Sequence, residues 1–112
     1  MSGRKNDNTN NNAVFNLSPF FEKDRLNGEN FTNWERMLWL ILKSEGREDV
    51  IYTPLPVLPE NPTNAQRQRH KEILDRAVPV TSLMIAAMEP SLQARFENMD
   101  AYSIMQEHKA LF

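Results

Sequence analysis

The side chains best suited to catalysis or metal binding in this sequence are two histidines, His70 and His108, and a scatter of serines and carboxylates. The histidines lack the HExxH spacing that places two zinc ligands on one helical face. No serine lies in a nucleophile-elbow motif, and the three glycines form neither a dinucleotide-binding fingerprint nor a phosphate-binding loop. We therefore expect no catalytic residue, no cofactor, no metal site and no small-molecule substrate.

The composition excludes further classes of function. The 112-residue chain has no cysteine, which rules out disulfides, thiolate nucleophiles and iron–sulfur clusters. A net charge of −2 argues against binding nucleic acid or an acidic membrane through overall charge. The longest apolar run, Met37 to Leu42, is too short to span a membrane, and the polar N-terminus does not resemble a secretory signal. We expect one small domain in the cytoplasm.

One basic cluster could contact phosphates in nucleic acid. It consists of four residues in one predicted helix: Arg67, Arg69, Lys71 and Arg76. No aromatic residue lies between Tyr52 and Phe96, so the stacking platform of single-strand binders is missing there. A solvated helix face and a nucleic-acid interface both remain open for this cluster.

The remaining candidate residues are His108, Trp39 and Leu40. His108 lies on an apolar helical stripe, which predicts an imidazole at the edge of the core with one hydrogen bond. Trp39 and Leu40 fall outside the core-facing side of their helix. Trp39 is either covered by the proline-rich segment that follows, or exposed with Leu40 as a contact for another protein.

The segments that carry these residues are predicted to be helical. The form of a capping box at Thr32 to Glu35 predicts a helix that ends near Gly46. Its core-facing residues recur at spacings of three and four: Trp34, Met37, Leu38, Ile41 and Leu42. The proline-rich segment from Thr53 to Pro62 is incompatible with a helix and predicts an extended conformation.

Four start or stop signals organise the second half of the chain. A second capping box begins at Thr63, Pro79 predicts a kink or break before a core segment from Val80 to Met88, Pro90 starts a short helix, and Asp100 caps a last one. The sequence thus predicts an all-α fold, a small orthogonal bundle of about five helices. Residues 1–16 are rich in asparagine and are expected to form a disordered tail. An irregular lead-in then brings apolar side chains to the core: Phe15, Leu17, Phe20, Phe21 and Leu26.

Several stretches resemble Gag proteins of copia-type LTR retrotransposons from plants. LNGENFTNW, from Leu26 to Trp34, is similar to the motif that introduces the first capsid helix in that family. LKSEG at Leu42 to Gly46, TPLP at Thr53 to Pro56, the stretch from Met84 to Tyr102 and the final ALF resemble the same group. The resemblance covers about residues 17 to 112, and ENMDAY, ending at Tyr102, is its most specific part.

The resemblance implies a helical capsid N-terminal domain over residues 17–112 that self-associates into a virus-like particle, with element RNA as a weak, non-specific partner and no membrane partner. It gives five residues a structural role: Leu26, Gly28, Asn30, Phe31 and Trp34. It also implies an uninterrupted helix around Pro79. Family members continue into a second capsid half and often a zinc knuckle, so we expect this chain to be a truncated or fragmentary copy. The alternatives are a nucleic-acid-binding module that uses residues 67–76, and an inert product that folds but binds nothing.

Overall fold

The structure is a computed structural model that describes residues 24–112. Four α-helices and one short 3₁₀ helix make up the regular secondary structure of this range. In chain order they are α1 Phe31–Ser44, the 3₁₀ helix Glu48–Ile51, α2 Asn64–Ala86, α3 Pro90–Phe96 and α4 Ala101–Leu111. An isolated backbone bridge joins Leu26 and Met88. The all-α prediction is confirmed. The predicted N-terminal tail, and Phe15, Leu17, Phe20 and Phe21 of the lead-in, lie outside the described residues.

Helix α1 begins one residue earlier than predicted. Asn30 occupies its cap position without a side-chain cap hydrogen bond, so the capping box predicted at Thr32 is wrong. The Asn30 side chain bonds within the preceding loop instead. Because the Asn30 side chain bonds to the loop, the end of that loop fixes Phe31 as the first residue of the helix.

The end of α1 is a Schellman-type turn. Gly46 has φ +69°, its N–H donates to the Lys43 carbonyl at 3.0 Å, and the Arg47 N–H donates to the Leu42 carbonyl at 2.9 Å. This pair of hydrogen bonds satisfies carbonyls at the helix end and requires a left-handed residue at the glycine position. The predicted helix end near Gly46 is confirmed.

The sequence predicts a kink or a break at Pro79, and helix α2 continues through this residue, so there is no break. Two predicted helical segments are in fact one, which is why residues 24–112 contain four α-helices instead of five. Pro79 has no N–H to donate to the Asp75 carbonyl, so one helical hydrogen bond is lost. The flanking residues Ala77 and Val80 are buried in the core, and this packing offsets the lost bond.

Three predicted helix starts are confirmed. Thr63 Oγ1 accepts from the Gln66 N–H at 3.1 Å while Gln66 Oε1 accepts from the Thr63 N–H at 2.8 Å, a complete capping box for α2. Pro90 lies in the first turn of α3. The Asp100 carboxylate accepts from the Ser103 N–H at 2.9 Å and caps α4.

The core lies where α1, the 3₁₀ helix, α2 and α4 meet. Fully buried large side chains come from every helix, and the predicted inward faces of α1 and of the segment after Val80 are confirmed. The largest buried side chains are Trp34, Phe96, Leu26, Leu38, Leu42, Ile51, Met84, Met88, Ile104, Met105, His108 and Val80. One polar residue, His108, is among them.

Candidate functional site

The segment that carries the family-like motif is joined to the turn after α2. Leu26 is buried, its N–H donates to the Ala87 carbonyl at 2.9 Å, and its carbonyl accepts from the Glu89 N–H at 3.0 Å. The Trp34 indole Nε1 donates to the same Ala87 carbonyl at 3.0 Å. A carbonyl oxygen has two lone pairs, so two residues of the motif saturate this one acceptor.

Local hydrogen bonds close the loop between Leu26 and Trp34. Asn30 Oδ1 accepts from the Asn27 N–H at 3.1 Å, and Asn30 Nδ2 donates to the Arg25 carbonyl at 3.0 Å. Gly28 has φ +93°, a conformation that L side chains rarely adopt. The five motif residues therefore all take part in the fold: Leu26, Gly28, Asn30, Phe31 and Trp34.

Four aromatic rings enclose His108, and we call them the His108 cage: Phe31, Trp34, Phe96 and Phe112. Their ring centroids lie 4.6 to 5.8 Å from the centroid of the imidazole, and the ring of Phe96 is the nearest, at 4.6 Å. The His108 side chain is 0% exposed, and neither ring nitrogen has a hydrogen-bond partner among the described residues. The prediction of a core-edge imidazole with one hydrogen bond is wrong, because His108 lies inside the core.

Burial lowers the pKa of His108 from 6.5 to about 4, because loss of water disfavours the imidazolium. Glu107 raises this pKa and Arg95 lowers it, and these two side chains form an ion pair at 3.1 Å. His108 is therefore neutral at pH 7 and acts as an aromatic core residue.

The two candidate protein-contact residues lie on the side of α1 that faces away from the core. Leu40 is 46% exposed and Trp39 is half-buried. The Lys43 ammonium lies 4.7 Å from the centroid of the Trp39 ring, a cation–π contact. Arg36 is exposed one turn before Leu40. We call this surface the α1 outer face: Arg36, Trp39, Leu40 and Lys43.

The proline-rich segment lies along α2. The Pro56 carbonyl is 3.1 Å from His70 Nε2, and Leu55 packs against the core. The segment and α2 line two small clefts of about 210 and 200 Å³. Because these contacts run to α2, they give no support to the interpretation in which the segment covers Trp39.

The four candidate nucleic-acid contacts do not share one face of α2. Arg67 and Lys71 are one turn apart and lie on one side, whereas Arg69 and Arg76 lie on the opposite side. Arg69 lines the cleft beneath the proline-rich segment, and Lys71 pairs with Asp75 at 2.7 Å. The basic cluster in the sequence is thus divided between two surfaces.

Arg76 connects α2 to the end of α1. Its guanidinium donates to both carboxylate oxygens of Asp49 at 2.7 Å and also to the Gly46 carbonyl. This bidentate pair lowers the pKa of Asp49 and raises the pKa of Arg76. The geometry gives Arg76 a role in the fold.

A cleft that sequence reasoning missed lies between the second half of α2 and the turn that joins α3 to α4. Its volume is about 360 Å³. We call it the α2 cleft. Its lining is mostly apolar, with three polar and two acidic residues: Leu55, Leu74, Ala77, Val78, Ile85 and Met99; Thr81, Ser82 and Asn98; Glu97 and Asp100. Val78 is 58% exposed there. The signal was present in the sequence, because Leu74, Val78 and Ile85 recur at helical spacing on a different side of α2 from Val80 and Met84.

Two features of the described surface are therefore suited to recognition: the α1 outer face, which is basic and apolar, and the α2 cleft, which is apolar with acidic residues at its edge. Within residues 24–112 no group of three or more His, Cys, Asp or Glu could hold a metal ion. None of the helices in this range is long and apolar enough to cross a membrane.

Comparison of the chain with protein-family models, with curated proteins and with solved structures finds no match in any of the three.

Proposed function

We propose that this chain is a non-catalytic, capsid-type assembly module of the Gag group found in copia-type LTR retrotransposons of plants. It would act in the cytoplasm by associating with copies of itself into a virus-like particle. Element RNA would be a weak, non-specific partner.

The observation that carries this proposal is the junction at Ala87. Two stretches that resemble the family, the opening motif and the segment from Met84 to Tyr102, are far apart in the sequence and meet there. Leu26 and Trp34 from the first stretch both donate to the Ala87 carbonyl in the second. This junction joins the two stretches within one helical domain, which supports reading them together as parts of a single capsid-type domain.

The surfaces are compatible with assembly by many weak contacts. The α1 outer face exposes Leu40 beside the Trp39 ring, and large apolar and aromatic side chains are favoured anchors in protein interfaces. In a closed ring one face of a subunit meets a different face of its neighbour. Each contact can be weak, because neighbouring contacts in a particle act together.

Sedimentation velocity of the purified chain, from micromolar to millimolar concentration, tests the proposal. Self-association predicts a weight-average mass that rises with concentration above the 13.1 kDa of the monomer. A mass that stays at the monomer value over the whole range would contradict it. Light scattering on the same samples separates defined oligomers from unspecific aggregates.

A further inference from the structure

We infer that the α2 cleft of one copy of this chain receives the α1 outer face of a second copy. The inference rests on the proposed self-association and names the two surfaces that would meet. Both are defined by residues whose exposure and surroundings the structure gives. The contact would be heterologous, so it could continue from copy to copy.

The α2 cleft has the size of a pocket for side chains. Ligand pockets span roughly 300 to 1,000 Å³, and the α2 cleft, at about 360 Å³, lies at the low end of that range. A cleft of this volume suits one or two inserted side chains better than a whole helix. Leu40 and Trp39 project from α1 as such a pair, and they lie beside each other in sequence.

The walls of the α2 cleft are mostly apolar. Val78 is 58% exposed and Leu74, Ile85, Leu55 and Met99 are half-buried, so the cleft leaves apolar surface in contact with water. Inserting an apolar side chain from a second copy would remove that surface from water, which is favourable in proportion to its area.

The charges of the α1 outer face and of the α2 cleft are opposite in sign. Arg36 and Lys43 flank Leu40 on the donor surface, and both are exposed. Glu97 and Asp100 stand at the edge of the cleft. Opposite charges around an apolar centre favour the correct partner and speed its encounter.

Arg95, the basic residue nearest to Glu97 and Asp100 in sequence, already forms an ion pair within the chain. Arg95 pairs with Glu107 at 3.1 Å, and the Asp100 carboxylate accepts hydrogen bonds from Ser103. Glu97 is exposed and available to a basic partner surface. A pairing of α2 with α2 would lack this complementarity, because each copy would present its acidic cleft edge to the other.

The test uses two single variants of the full chain. Leu40→Glu places a negative charge on the donor surface, and Val78→Lys places a long positive side chain in the cleft. Each is expected to weaken self-association about tenfold or more, the loss typical of an interface anchor. Val57→Lys is the matched control, because Val57 is 91% exposed and belongs to neither surface. Circular dichroism and a thermal melt confirm that each variant folds.

Mixing the two variants is the decisive experiment. The α1 outer face is intact in Val78→Lys, and the α2 cleft is intact in Leu40→Glu. The mixture is therefore expected to form a heterodimer through these two surfaces, whereas each variant alone lacks one of them. A fluorescent label on one variant reports this complex in sedimentation velocity.

Two results would overturn the inference while the proposed function stands. In the first, the wild type associates and Val78→Lys associates equally well, which would mean that another partner or another part of the chain fills the cleft. In the second, Val78→Lys no longer self-associates, Leu40→Glu self-associates like the wild type, and mixing the two variants does not restore association of Val78→Lys. An α2–α2 pairing predicts this pattern. A wild-type chain that stays monomeric up to millimolar concentration would overturn both proposals.

Discussion

The indole Nε1 of Trp34 donates a hydrogen bond of 3.0 Å to the carbonyl oxygen of Ala87, a residue that lies beyond the end of α2. The same oxygen accepts from the Leu26 N–H. The first turn of α1 is thus fixed to the turn between α2 and α3 by one side chain, and the loop before α1 is fixed there by its backbone. This junction sets the position of α1, and with it the direction in which the α1 outer face points.

Replacing Trp34 with Phe should lower the free energy of unfolding by about 2 kcal/mol, because the variant loses a buried hydrogen bond and leaves a small cavity. Trp39→Phe is the matched control, since Trp39 is half-buried on the outer side of the same helix. It should change stability by less than about 0.5 kcal/mol. Urea denaturation measures both. Equal losses in the two variants would show that the bond to Ala87 contributes nothing specific.

Acidification should destabilise the fold through His108. Its pKa is about 4 in the folded chain and near 6.5 in the unfolded chain, so the unfolded state binds more protons between these values. Stability is therefore fully present above pH 6.5 and is lost as the pH falls toward 4. The expected loss over this window is about 3 kcal/mol. Thermal melts between pH 7.5 and 4 measure it.

His108→Leu is the control for that pH dependence. The variant removes an imidazole whose two nitrogens have no partner among the described residues, so it should raise stability at pH 7 by about 1 kcal/mol. The loss between pH 6.5 and 4 should disappear, whereas the contribution of Asp49, whose pKa is lowered below 3.8, remains at more acidic pH. A His108→Leu variant that keeps the full loss would place its origin in another group.

Alkaline pH should destabilise the fold through Tyr52. Its hydroxyl donates to Glu35 Oε2 at 2.8 Å, and burial together with that carboxylate raises the pKa of Tyr52 to about 12. Above pH 10 the unfolded chain loses the phenolic proton while the folded chain keeps it, so stability falls as the pH rises from 10 to 12. Absorbance at the tyrosinate band follows the titration. Tyr52→Phe should flatten this part of the stability profile, and an unchanged profile would contradict the assignment.

Removing Arg76 should affect the fold more than any binding to RNA. Arg76→Ala breaks the bidentate pair with Asp49, and because both side chains are about half exposed the cost should be near 1 kcal/mol. Arg67→Ala, at an exposed site in the first half of α2, should leave stability unchanged.

Fluorescence anisotropy with single-stranded RNA should show weak affinity in the wild type with little salt dependence. A steep salt dependence that falls when Arg67 and Lys71 are both changed to Ala would instead favour the nucleic-acid function.

Local signals in the sequence were sufficient for most of the helices. Thr63, Pro90 and Asp100 act within one turn of the residues they cap, so their types and spacing identify the helix starts. The start of α1 was misplaced because Asn30 serves the preceding loop. That role depends on bonds to Asn27 and Arg25, which a capping pattern does not contain.

The surroundings of Arg76, of His108 and of the α2 cleft depend on contacts between residues far apart in sequence, which local sequence patterns do not reveal. Arg76 looked like part of a basic stripe, but its partner Asp49 lies on the other side of the proline-rich segment. His108 looked like a core-edge residue because its cage is assembled from α1, α3 and the end of α4. The α2 cleft could not be predicted from the apolar spacing of Leu74 and Val78 alone, because another part of its lining comes from Met99, which lies in the turn between α3 and α4.

Replacing Pro79 with Ala tests how α2 tolerates its proline. The variant restores an N–H that can donate to the Asp75 carbonyl, and alanine is the better helix former. Burial of Ala77 and Val80 already keeps this part of α2 helical, so the helix should not change its ends. Stability should rise by about 1 kcal/mol, which is less than the full cost of an interior proline because the unfolded chain also gains freedom. Urea denaturation measures the gain, and hydrogen exchange at residue 79 reports the new bond. A loss of stability would mean that the packing of the half-buried Pro79 ring outweighs the hydrogen bond that it removes.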